Sequence, residues 1–120
     1  PQAIAVTARD YYFRAIVRHI GIRDDVGALE DLARAHTLDP LDYEVFKLRG
    51  DVYAEMERWE EAQQAYDRVL ELFPTHAAAL SNQAYISMKQ GQLDRALEQA
   101  RTALRLHPNS PFAHETLGGR

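Results

Sequence analysis

Cysteine is absent from the 120 residues, and only two lysines stand beside twelve arginines. Without thiols there is no disulfide framework, no thiolate metal site and no cysteine nucleophile. A cysteine-free chain tolerates either redox compartment. No run approaches the roughly 18 apolar residues that a membrane-spanning helix needs, and no charged start followed by an apolar stretch marks a signal peptide. These absences favour a cytoplasmic location. Basic residues are not in excess either: 14 face 18 acidic ones, for a net charge of −4. The signs are mixed, so no basic stripe follows a phosphate backbone, and a nucleic-acid partner is excluded. The arginine-over-lysine balance suggests a bacterial source.

Catalytic patterns are missing as well. There is no glycine-rich phosphate loop and no nucleophile elbow. The histidines, at 19, 36, 76, 107 and 114, include no pair four residues apart around a carboxylate, as a helical metal site would require. Glu55, Glu57, Glu60 and Glu61 form an acidic cluster, but without the short, regularly spaced oxygen ligands of a calcium loop it reads as a solvated face. Neither an enzyme, a cofactor nor a metal is expected.

What is present is internal repetition. Val69-Leu70-Glu71-Leu72-Phe73-Pro74 is echoed by Ala103-Leu104-Arg105-Leu106-His107-Pro108, and more faintly by Ala35-His36-Thr37-Leu38-Asp39-Pro40. The prolines at 40, 74 and 108 stand 34 residues apart, a spacing that marks a repeat architecture. In the middle copy Phe46, Gly50, Tyr53 and Ala54 lie on one helical stripe, and Ala62, Ala65, Tyr66, Val69, Leu70 and Phe73 on another. Met56-Glu57-Arg58-Trp59 interrupts them. In the next copy the break is Gln90-Gly91-Gln92, where Gly91 suits a left-handed residue past a helix end. Each unit thus reads as two helices and a tight turn, closed by a proline that drives its predecessor out of the α region.

Small residues recur at one phase of the period: Gly50 and Ala84 in first helices, Ala28, Ala62 and Ala96 in second helices. Larger side chains there would push the helix axes apart. At the N-terminus the pattern predicts one long helix over 2–20, ended by Gly21, acting as a cap on the repeats. The following helix is expected to begin at Asp24-Asp25, with Asp25 as its cap. Pro108-Asn109-Ser110-Pro111 places a cap at Ser110 and a proline at the first helical position of a partial fourth copy. That copy is cut short by Gly118-Gly119-Arg120. A solenoid ordinarily finishes on a helix with a polar outer face, so the chain is expected to be a piece of a longer protein. Its start at Pro1 fits a processed or excised beginning.

Phe46, Gly50, Tyr53, Ala62, Tyr66, Val69 and Pro74 carry, at the right steps, the pattern by which this chain resembles the tetratricopeptide-repeat family. The third copy carries Leu80, Ala84, Ser87, Ala96, Ala100, Ala103 and Pro108, with both aromatic places lost. The first keeps Ala28, Leu32, Ala35 and Pro40, with Ile16 at the small-residue place. The resemblance covers about residues 9–117. It implies an all-α fold: an α-solenoid of about three helix-turn-helix units in a right-handed superhelix, over a single domain of 1–120. The units fall at about 9–42, 43–76 and 77–110, with a partial fourth at 111–117.

The resemblance also implies a function class, a non-catalytic module that binds a peptide or helix of a partner protein in its concave groove. Groove positions fall on Phe13, Val17 and Ile20, then Lys47, Asp51 and Ala54, then Ala78, Ser81, Asn82, Tyr85 and Met88, with Phe112 and Glu115 to follow. One family sub-type grips the terminal carboxylate of chaperone tails with two lysines, an arginine and two asparagines. Counted from the first copy, those places hold Phe13, Val17, Leu48 and Ala78. Counted from the second, they hold Lys47, Asp51 and Asn82, with Phe112 where a lysine is expected. Asp51 would repel a carboxylate, so the groove is better suited to an apolar segment or an amphipathic helix. The alternatives are a self-associating scaffold, hence a homo-oligomer, and a docking domain of a larger enzyme.

Overall fold

Most helices among the described residues start where a side chain can take up an orphaned backbone N–H. The computed structural model describes residues 6–108; the expected copy at 111–117, with Phe112 and Glu115, lies outside them. Helix α1 (Ala8–Ile16) opens on a reciprocal capping box. The Asp10 N–H donates to Thr7 Oγ1 at 3.1 Å, and the Thr7 N–H donates to Asp10 Oδ2 at 2.9 Å. It closes in a π-helical turn, Val17–Gly21. The helices α2 (Asp25–Leu38), α3 (Tyr43–Glu55) and α5 (Ala77–Lys89) are capped by Asp24, Asp42 and His76. Helices α4 (Trp59–Leu72) and α6 (Leu93–Leu106) have no side-chain cap and carry acids in their first turns instead.

Two local expectations are corrected here. The first helix does not run from residue 2: Val6 and Thr7 are non-helical, because the capping box fixes the start at Ala8. With its π-helical turn it is about as long as its counterparts α3 and α5, so it is no extended cap. And Asp24, not Asp25, caps α2, accepting from the Gly27 N–H at 2.9 Å. Asp25 sits in the first turn and pairs with His19 Nδ1 at 3.0 Å.

The helices pack as antiparallel neighbours, α1 with α2, α3 with α4 and α5 with α6, and each hairpin leans on the next through α2–α3 and α4–α5. All regular elements among the described residues are helical. The body measures 60 × 24 × 20 Å, elongated as a stack requires. No single core exists. One apolar cluster joins Ala15, Ala28, Leu32, Val45, Leu48 and Val52; a second joins Phe46, Ala62, Tyr66, Val69, Ala79 and Ile86; a third begins at Leu80 and Ala103. Each cluster is shared across a seam, so no hairpin buries its face alone.

Within a hairpin the small residues set the approach. A Cβ on Gly50 would stand 2.7 Å from Tyr66 Cε1 and 2.8 Å from its Cζ, and the Tyr66 ring is fully buried. Gly50→Ala is therefore expected to destabilise the protein by about 1–2 kcal/mol, since overpacking outweighs alanine's better helix propensity. In a Tyr66→Ala background the same change becomes neutral or stabilising, a sign reversal that denaturant unfolding of the four proteins will read.

The turns inside the hairpins also repeat. Arg23, Glu57 and Gly91 all have positive φ, at 59°, 59° and 78°. Glu57 and Gly91 sit in closures where the next N–H reaches back five residues, Arg58 to Tyr53 O at 2.9 Å and Gln92 to Ser87 O at 2.8 Å. Only the third hairpin uses the residue suited to that conformation. Glu57→Gly is expected to stabilise by about 1 kcal/mol, because the left-handed region costs a non-glycine residue that much, and thermal melts will show it as a rise of a few degrees.

His76 caps α5 as a neutral ring, with Nδ1 accepting from the Ala79 N–H at 3.2 Å. It lies edge-on to Tyr43 and Phe73, with centroids 5.5 and 5.3 Å away. Burial, then the nearby Lys47 charge, lowers its pKa. The unfolded chain therefore takes up a proton at this site more readily than the folded one. The stability so contributed is present above about pH 6.5, the unperturbed value, and is lost as pH falls through the lower folded value. His76→Ser keeps a cap without the titration. Its unfolding free energy is expected to fall less steeply between pH 7 and pH 5 than the parent's, whatever its absolute value.

Candidate interaction site on the first-helix face

Helices α1, α3 and α5 present corresponding positions every 34 residues, and on the exposed face these diverge in chemistry. At one phase stand Phe13, Lys47 and Ser81; at the next Val17, Asp51 and Tyr85; at the third Ile20, Ala54 and Met88. The structure exposes Phe13 at 55%, Val17 at 58%, Ile20 at 67%, Tyr85 at 45% and Met88 at 43%. Asn82 is half-buried, as are Ala54 and Ala78. Ser81 departs from the groove expectation: it is buried at 2%, and its Oγ has no hydrogen-bond partner among the described residues. The small side chain at this phase falls under its neighbours, where phenylalanine and lysine reach out.

The centre of the face is a fixed polar relay. Lys47 Nζ donates to Asp51 Oδ2 at 2.9 Å along α3. The Tyr66 hydroxyl, rising from α4, donates to Asp51 Oδ1. It accepts from Asn82 Nδ2 at 3.3 Å, which brings in α5. Burial first, then the Asp51 carboxylate, pushes the Tyr66 pKa upward, so the hydroxyl stays neutral and remains a donor. Thus Lys47, Asp51 and Asn82 are brought together, and Lys47 and Asn82 are both engaged within the chain.

Beside this relay opens a cavity of about 430 Å³. Asp51, Ala54, Glu55 and Glu57 line it from α3 and its turn, Tyr85 and Lys89 from α5, Trp59 and Tyr66 from α4. His19, from the π-helical turn, reaches it too. Glu55 accepts from Arg23 Nη1 at 3.1 Å in an exposed pair, and Lys89 Nζ lies 5.4 Å from the Tyr85 ring centroid. Phe13 and Val17 are not among the lining residues; they continue the face along α1.

Sequence reasoning missed Glu55, Glu57, Trp59, Tyr66, Lys89 and His19. Glu57 was reachable, since it shares the phase of Gly91 and must sit where a turn projects its side chain. Tyr66 appeared as a packing residue, and nothing in the pattern shows that its hydroxyl passes through the hairpin to Asp51.

Comparison with known proteins gives a consistent picture. A relative from Xylella fastidiosa, named UPF0162 protein, is 30% identical over 88 residues, 69% of this chain but 31% of that protein. The chain thus spans under a third of that relative's length. Among solved structures, MamA superposes with a TM-score of 0.81 at 22% identity, covering 86% of this chain and 56% of that one. YrrB, described as a TPR protein with an unusual peptide-binding site, gives 0.82 at 25% identity, covering 91% and 56%. The first TPR of Spaghetti (RPAP3), solved bound to the HSP90 peptide SRMEEVD, gives 0.85 at 16% identity, covering 92% and 87%. The tetratricopeptide-repeat profile itself matches residues 47–111, more than half of the chain. Three helical hairpins in series, the 34-residue period and that match place this chain in the tetratricopeptide-repeat family.

Proposed function

We propose that this protein is a non-catalytic interaction module that seats a peptide or helix of a partner protein on the α1/α3/α5 face. The observation that carries the reading is the composition of that face. Exposed apolar side chains stand at both ends, Phe13 on α1 with Val17 and Ile20 in its π-helical turn, and Tyr85 and Met88 on α5, where Tyr85 also lines the open cavity. A few such anchors supply most of a binding energy, and a helix or extended segment crossing the face would cover them. The peptide sites of YrrB and of the Spaghetti repeat domain support the same use of the fold.

The test is retention of the full chain on an array of amidated random dodecapeptides. Tyr85→Ala and Val17→Asp are expected to lower retention at least about fivefold, as loss of an anchor worth about 1 kcal/mol does, while the melting temperature stays near the parent's. Equal retention of all three proteins, including none by any, sinks the reading.

A further inference from the structure

Three carboxylates and three aromatic rings meet at the cavity on this face. Asp51, Glu55 and Glu57 line it together with Trp59, Tyr66 and Tyr85, and Lys89 supplies the one ammonium. We infer that the cavity receives an arginine or lysine side chain, so that the partner segment carries a cation flanked by apolar residues rather than an acidic tail. The inference rests on the groove reading above and adds the chemistry of the bound segment.

The charge inventory supports it. Lys47 does not line the cavity, and its ammonium is held by Asp51 Oδ2 at 2.9 Å. Arg23 balances Glu55 only through a pair exposed on both sides, at 72% and 53%, which is weak and exchanges readily. Glu57 makes no ion pair among the described residues; only its carboxylate is wholly uncommitted. Lys89 already places a cation over the Tyr85 ring, at 5.4 Å from the centroid, so that ring face accepts one. An incoming guanidinium can lie flat on an aromatic ring and offer its paired N–H groups to a carboxylate at the same time. An acidic segment meets three carboxylates instead, with Lys89 the single lining lysine to offset them. The apolar flanks follow from the exposed apolar residues elsewhere on the same face, Val17 and Ile20 in the π-helical turn and Met88 on α5.

The array of amidated dodecapeptides, sorted by a fixed central arginine, glutamine or glutamate, tests this directly. Arginine-centred peptides are expected to retain the protein about tenfold better than glutamine-centred ones, and glutamate-centred ones least. Glu55→Gln with Glu57→Gln should abolish that preference without lowering retention of glutamine-centred peptides, and Lys89→Ala should enlarge it. Trp59 is the single tryptophan, so its emission reports occupancy: arginine-centred peptides should perturb it more than their citrulline-centred counterparts of equal shape. Absence of an arginine preference, a preference for glutamate, or a preference untouched by the double substitution overturns the inference. If retention then remains sensitive to Tyr85→Ala, the groove reading survives and only the cation is lost; if it does not, both fall.

Discussion

The contact between the Tyr66 ring and the bare backbone of Gly50 ties the architecture to the surface. The ring can lie against α3 only because position 50 lacks a Cβ, and lying there it carries its hydroxyl to Asp51. A buried packing decision therefore sets the position of a carboxylate on the exposed face. Asn82 adds α5 to the same hydroxyl, so three helices from two hairpins are registered at one oxygen. In water such a relay would be worth little. Beside a fully buried ring, each group has few alternative partners, and the geometry is held.

Neighbouring seams are built from different chemistry, although the backbone repeats. In the first hairpin Asp31 is fully buried, and Arg14 grips it with two hydrogen bonds, at 2.9 and 3.1 Å, while Arg18 approaches to 3.4 Å. One period on, the places of Arg14, Arg18 and Asp31 hold Leu48, Val52 and Ala65, all buried and apolar. Between α4, α5 and α6 the seam turns polar: Gln63 Nε2 donates to Ser87 Oγ at 3.0 Å, and Ser87 Oγ donates to Gln99 Oε1 at 2.6 Å. A stack of identical hairpins could slip by one unit without loss. Here a slip would open the glutamine network between α4 and α5 and leave polar groups unsatisfied.

How much of this the sequence reveals follows from the same distinction. Residues under a common packing rule, such as Ala28, Ala62 and Ala96 or the prolines at 40, 74 and 108, declare themselves by recurrence. So did the helix pairs and the Gly91 turn, whereas the exposure of Phe13, Val17, Tyr85 and Met88 is what the family resemblance implies rather than anything recurrence declares. Recurrence fails where a local bond wins. Thr7 with Asp10 starts α1 six residues later than the apolar pattern suggests, and Asp24 takes the cap from Asp25 because its side chain reaches the Gly27 N–H. It fails again at Ser81, whose phase points to the face while its short side chain is buried. The aromatic place left empty at Ser87 reads as a loss in sequence, yet the hydroxyl there is a node of the glutamine network.

Several of the positions that break the period lie on the exposed face, where the proposed groove reading puts recognition. Phe13, Lys47 and Ser81 occupy one phase of the fold, and Val17, Asp51 and Tyr85 another, yet no two in either set share a chemistry. Phe13, Val17 and Tyr85 are exposed and lie outside the apolar clusters, whereas Asp51 is held by Tyr66 and Lys47, and Ser81 is buried. Glu57 makes the point most sharply. It occupies a left-handed turn that the next hairpin fills with glycine, and the stack would be better served by glycine there too. A strained carboxylate at the mouth of the cavity is intelligible as a property of the surface, not of the fold. Under the proposed groove reading, stability and recognition make opposing demands at Glu57.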